Sequence, residues 1–302
     1  MTDNLRGIFL KITAVAIFTV MMAIIKATAG EVPIGQQLFY RAFFGMLVVI
    51  GWLAVRGDLH SALRTLNISG HIWRGFSGAL AMSLRFFAIG VLTFSEVTAL
   101  GFTTPLVLTI LATIILGETV RAFRLITVTL GFVGVVVVLW PTINFNNERT
   151  TFELIGAAAI LGSAALAALA HIFVRRLVAT ENTAQIVFYY SLLVSVLSLL
   201  SLPFGWVIPS FEATLMLICA GLIGGVGQIC LTAAYRNAPA SIVAPFDYSS
   251  MLLALGIGYF WFSEIPNWWT IIGATIIIIS GIAILWREQW LGRQRNLAQI
   301  AH

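Results

Sequence analysis

The feature that most constrains this chain is a succession of long apolar runs. Stretches of about 18 to 24 residues follow one another with breaks only a few residues wide. Each can cross a bilayer as a helix, because the hydrocarbon core is ~30 Å thick and a helix rises ~1.5 Å per residue. The runs read Ile8–Ala29, Gln36–Val55, Ile72–Leu92, Ser95–Leu116, Phe123–Trp140, Glu153–Val174, Ala184–Trp206, Phe211–Tyr235, Ser241–Phe262 and Trp268–Trp286. Turn-forming residues punctuate them: Pro33, Gly57-Asp58, Pro141, Glu181-Asn182, Pro209, Pro239 and Pro266. Composition agrees. Only 10% of the 302 residues are charged and 60% are hydrophobic, whereas a soluble domain has roughly 25% charged residues to cover its surface. The expected fold class is all-α and integral to the membrane, with ten transmembrane helices surrounded by lipid.

Ten crossings return both termini to one side. Thirteen of the 17 Lys and Arg residues then fall on that side, leaving Lys26, Arg41, Arg85 and Arg149 towards the other. The positive-inside rule places both termini in the cytoplasm. The net charge of +5 is scattered over segment ends, with no basic run of the kind that binds nucleic acid. The first run has some marks of a secretory leader, Arg6 and the triplet Ala27-Thr28-Ala29. Its length and the Lys26 beside the triplet favour a retained helix. Cys219 and Cys230 lie eleven residues apart in one run, about 16 Å along a helix and too far for a disulfide.

The two halves resemble each other. At a shift of 146 residues Gly75 falls on Gly221, Gly78 on Gly224, Ser95 on Ser241, Val97 on Val243, Glu118 on Glu264 and Trp140 on Trp286. At a shift of 149, Gly7 falls on Gly156, Lys26 on Arg175, Phe39 on Phe188 and Tyr40 on Tyr189. Five helices per half make the second copy inverted relative to the first, the architecture of secondary transporters. The expected division is 1–147 and 148–302, the second half ending in a short cytoplasmic tail.

These features resemble the EamA-type branch of the drug/metabolite transporter superfamily. The likeness rests on the ten-span layout, the duplicated unit, and two motifs. Thr104-Pro105-Leu106 leads to Leu116-Gly117-Glu118, and Ala244-Pro245-Phe246-Asp247-Tyr248-Ser249-Ser250 leads to Phe262-Ser263-Glu264-Ile265-Pro266. It runs from about residue 5 to 288. It implies a multi-pass protein of the inner membrane with a central cavity lined by the first, third, fourth, sixth, eighth and ninth helices. Family members export amino acids, aromatic ones among them, while others take up vitamins, nucleosides or S-adenosylmethionine-like metabolites.

Polar groups deep in a span are costly and mark candidate function. On the third helix Gly75, Gly78, Met82, Arg85, Phe86 and Ile89 share one face, and the repeat gives the eighth helix Gln228 and Thr232 in matching places. Glycines at one end suit close helix packing, and the larger residues suit a cavity wall. Arg85 can bind a carboxylate, pair with Glu96 or snorkel to the interface. His171 and Asp247 lie near the cytoplasmic end, where Asp247 can serve a substrate ammonium, a coupling proton, or an ion pair with Arg236 or His171. Lys26 and Arg41 read as interfacial anchors or gating charges. Pro105 and Pro245 kink the fourth and ninth helices, which makes Phe102, Thr103, Tyr248 and Ser249 beside them further lining candidates. Tryptophans at segment ends fit an interfacial belt.

Other classes fit poorly. A phosphate loop and a soluble ATPase-sized segment are absent, so no ATPase partner is implied, and no H-E-x-x-H or G-x-S-x-G motif suggests an enzyme. No filter-like ring suggests a channel. The expectation is a non-enzymatic carrier of a small molecule, without metal or other cofactor. Its oligomeric state stays open, since packing glycines serve contacts within or between chains.

Overall fold

A computed structural model describes residues 3–57, 65, 67–116, 122–143, 149–177, 180–238 and 244–300, and among them no strand occurs. The helices are α1 (Asp3–Thr28), α2 (Ile34–Arg56), α3 (Ile68–Val91), α4 (Phe94–Gly101), α5 (Thr103–Leu116) and α6 (Ala122–Ile143). They continue with α7 (Arg149–Leu177), α8 (Thr183–Leu199), α9 (Phe211–Asn237), α10 (Ser249–Phe262) and α11 (Trp268–Ile300). Turns of 3₁₀ helix lie at Leu202–Phe204 and Ala244–Tyr248. Local chemistry sets several ends. Gly57 closes α2 in the left-handed region at φ 72°, its N–H reaching the Leu53 and Ala54 carbonyls, a conformation glycine adopts without a Cβ clash. Reciprocal capping boxes start α4 (Thr93 with Glu96) and α8 (Asn182 with Gln185).

Small residues bring the long helices together. α9 runs antiparallel along α1, with Gly227 against Ile17 and Phe18, Gly224 against Met21, and Ala238 against Gly7. α7 runs antiparallel along α3 in the same manner, with Gly162 against Leu84, Gly156 against Val91 and Leu92, and Ser163 Oγ donating to the Ala81 carbonyl at 2.6 Å. α9 also meets α2 closely: a Cβ on Gly225 would come 2.8 Å from the Gly45 carbonyl oxygen. α6 and α11 cross at Gly134 and Gly273. These are the small-residue contacts that drive helix association in lipid, where apolar burial gives no advantage.

The outer surface reverses the pattern of a soluble protein. Ile208, Phe204, Phe211, Phe260 and Ile265 are each more than four-fifths exposed, as in a bundle that presents its large apolar groups to acyl chains. Among the described residues, four helices qualify as spans by length and apolarity alone: Leu5–Thr28, Ile34–Val55, Thr151–Val174 and Phe211–Leu231. The fourth expected run falls short for a physical reason, since it is two helices. Pro105 has no N–H for the Gly101 carbonyl, and the chain turns at Phe102. The Thr104 hydroxyl donates to Gly101 O at 2.9 Å and the Thr103 hydroxyl to Leu100 O, so the freed acceptors are satisfied. The ninth run behaves alike. Its first described residues, Ala244–Tyr248, form a 3₁₀ turn, and Ser249 and Ser250 donate to the carbonyls of Phe246 and Asp247 at 2.6 and 2.7 Å. Of the sequence motifs, Gly117 and Glu118 lie outside the described residues.

Candidate substrate cavity

The site is built on α3, whose first turn is capped by Asn67 Oδ1 accepting from the Gly70 N–H at 2.9 Å. Arg74 and Arg85 are eleven residues apart, which at 100° per residue puts them on one face. Gly78 lies between them. A Cβ there would collide with Arg74 Nη1 and with Tyr190 Cε2, the latter at 2.7 Å. Its absence lets the Arg74 guanidinium lie along α3 and stack on the Tyr190 ring, 4.1 Å from Cζ to centroid. Arg41 of α2 approaches the same ring at 5.9 Å, with Nη1 3.5 Å from Tyr190 Oη. Met82 Sδ stands 4.0 Å from that hydroxyl. Arg41, Tyr190, Ser191, Gly224 and Gln228 line a cleft between α2, α8 and α9. In this conformation it has room for about one water molecule at most. Arg85 points towards Gly101, where its Nη2 would stand 3.2 Å from a Cβ. It therefore sits beside the break in the fourth span, close to the carbonyl end of α4, where the helix dipole favours a cation.

The electrostatics are one-sided. Among the described residues, Arg41, Arg74 and Arg85 have no acidic partner, and Arg41 Nε, Arg74 Nε and Nη1, and Arg85 Nε are buried without hydrogen-bond acceptors. An arginine at the centre of a span costs roughly 2.5–3.5 kcal/mol to insert, while a cation–π contact returns about 0.5–2 kcal/mol. Two guanidiniums sharing one phenol ring leave that balance unfavourable. Packing alone does not account for them.

The acids are engaged elsewhere. Asp247 Oδ1 is 2.7 Å from Lys11 Nζ, a partner that the alternatives read from the sequence did not include. Position within the chain hid this: Lys11 looked like one more positive charge near the first membrane boundary. His171 is exposed on α7 within electrostatic reach of Arg74 and Lys11. Glu96, the expected alternative partner of Arg85, accepts from the Thr93 N–H at 3.0 Å instead. At the other end of α1, Lys26 Nζ contacts Glu264 Oε1 at 2.8 Å and donates to Leu92 O at 2.7 Å, capping the carbonyl end of α3. Glu264 Oε2 in turn accepts from the Phe94 N–H at 2.7 Å. Lys26 is thus engaged within the bundle. It ties four helix ends together.

The remaining candidates divide. Phe102 and Tyr248 meet edge to face at 5.0 Å. Phe86 is packed in the core at 1% exposure and Thr103 at 0%, its hydroxyl committed to the backbone. The Ser249 hydroxyl is likewise engaged with Phe246 O. The side chains of Thr232, Arg236 and Pro245 lie outside the described residues. Sequence reasoning passed over Arg74 and Tyr190. The available signals were the eleven-residue spacing from Arg85 and the 149-residue shift, which sets Tyr190 on Arg41.

The sequence profile of the EamA-like transporter family matches residues 5–140 and again 154–286. The chain belongs to that family. It is accordingly a multi-pass protein of the inner membrane within a small-molecule transporter family. The pseudopaline exporter CntI of Pseudomonas aeruginosa is 29% identical over 287 residues, covering 92% of this chain and 95% of that one. An S-adenosylmethionine uptake transporter of Rickettsia bellii is 26% identical over 290 residues, 93% and 96% of the two chains. A riboflavin transporter of Vibrio cholerae is 26% identical over 299 residues, 97% and 98%. One solved crystal structure superposes at a TM-score of 0.65 with 19% identity, over 92% of this chain and 96% of that chain, a likeness of fold alone.

Proposed function

We propose that this EamA-like chain is a secondary transporter that moves small amphipathic metabolites, amino acids and their derivatives foremost, outward across the inner membrane by alternating access. In this reading residues 1–147 and 148–302 are inverted halves with both termini cytoplasmic, and they rock about the cleft beside Tyr190.

The observation that carries the proposal is the meeting of equivalent positions. At the 149-residue shift Arg41 corresponds to Tyr190, and at 146 Phe102 corresponds to Tyr248; each pair is in contact. Residues related by a two-fold touch their own counterparts only beside the axis, so both contacts mark where the halves would pivot. The pairing of α1 with α9 and of α3 with α7 supports the same relation. Outward transport is supported by the relative named as an exporter. Uptake of a vitamin or S-adenosylmethionine-like metabolite is the second reading, favoured by the relatives named for those substrates.

The test is counterflow in proteoliposomes. Labelled amino acids should enter saturably and faster when unlabelled substrate is preloaded. Saturable counterflow with riboflavin or S-adenosylmethionine in place of every amino acid would favour the second reading. No flux of any solute through folded protein would remove the carrier assignment.

A further inference from the structure

We infer that the substrate of this cleft is a net anion carrying two or more carboxylates, held by Arg41 and Arg74 at one end and by Arg85 at the other. The inference rests on the carrier reading above and replaces a simple zwitterion with a polyanionic amino-acid derivative or related organic acid. Arg41 and Arg74 converge on one phenol from two different helices, and their unpartnered nitrogens remain available beside it. A carboxylate accepting from both, with the Tyr190 hydroxyl as a further donor, would supply the missing acceptors. Arg85 lies on the same face of α3, its guanidinium at the break of the fourth span. From Gly78, over which Arg74 lies, to Arg85 is seven residues, about 10 Å along the helix. One small carboxylate cannot reach both places, whereas a molecule with carboxylates at two ends can.

The rest of the lining fits this division. Gln228 and Ser191 offer neutral polar groups and Val49 and Val187 apolar ones, while Met82 Sδ stands beside the Tyr190 hydroxyl. No described acid faces the cleft to receive an ammonium or sulfonium. Asp247 and Glu264 are held by lysines, and Glu181 is engaged by Thr65 and the Asn67 N–H. A cationic substrate would meet uncompensated like charge there.

The test measures binding to the purified full-length protein by thermal shift and by titration with citrate, L-glutamate, iminodiacetate, L-phenylalanine and S-adenosylmethionine. A polycarboxylate is expected to bind at least tenfold more tightly than L-phenylalanine or S-adenosylmethionine. Arg74→Gln and Arg41→Gln should each weaken it at least tenfold, while Arg74→Lys, which keeps the charge and guards against a folding artefact, should lose less. Equal or tighter binding of the zwitterion or the cation, no binding of any polycarboxylate, or polycarboxylate binding untouched by both glutamine variants would each overturn the inference. Counterflow with the same solutes separates the two claims. Flux of L-phenylalanine or S-adenosylmethionine alone leaves the carrier standing and removes the anion site. Polycarboxylate binding without flux of any solute leaves the anion site and removes the carrier.

Discussion

Gly78 decides whether Arg74 reaches the ring of Tyr190. A methyl group there has to displace either the guanidinium or the ring, and overpacking of this kind costs about 1–3 kcal/mol, more than the ~1 kcal/mol that alanine gains over glycine in a helix interior. Gly78→Ala should therefore lower both thermal stability and substrate affinity. Gly90→Ala on the same helix, which would meet only the Ala29 Cβ at 3.5 Å, should be neutral or slightly stabilising. Melting temperature and counterflow KM of the two variants check this. At this scale the sequence was legible where a charge stood alone within an apolar run, as Arg85 does. Arg74 escaped because it lies where the positive-inside pattern already expects a cation. Tyr190 escaped because a tyrosine in a span is ordinarily packing. What joins both is a contact across three helices, which no local pattern encodes.

The fourth span shows what happens when two local preferences conflict. Its apolar run argues for one continuous helix, and Pro105 argues against it. The structure resolves the conflict by ending α4 at Gly101 and starting α5 at Thr103, with hydroxyls bridging the gap. Thr104→Val should leave the Gly101 carbonyl without its hydroxyl donor and destabilise the protein by about 1 kcal/mol. Pro105→Ala restores a backbone N–H for that same carbonyl, so the double variant should recover most of the loss; unfolding titrations of the four proteins form the cycle. Pro105 and Pro245 announced the two breaks in the sequence. The extent of each break did not follow, because it depends on side-chain hydroxyls and on the neighbours that shelter the turn.

Across the whole molecule, α1 is fastened to the ninth span at both of its ends, by Lys11 with Asp247 and by Lys26 with Glu264. The alternating access proposed above would require the two faces to part in turn, and each pair would then have to break during some part of the cycle. In a variant lacking Cys219 and Cys230, Lys26→Cys and Glu264→Cys joined by a reducible thiol cross-linker should stop counterflow, and reduction should restore it. Unchanged flux in the cross-linked protein would show that this end never opens. The all-helical, apolar character of the chain was readable from spacing alone, because apolar run length is local and periodic. Lys11 and Asp247 are far apart in sequence and sit in different halves, so only the assembled bundle brings them together.

The unlike pair at the centre of a like framework has a consequence for the cargo. Positions 41 and 190 are counterparts, yet one carries a guanidinium and the other a phenol. Turning a bound molecule end for end would exchange the partners of its two poles, and the exchanged arrangement is not equivalent to the first. Under the proposed carrier reading a passenger would therefore keep one heading relative to the membrane throughout its passage, and bulk added to its leading pole should be felt differently from the same bulk added to its trailing one.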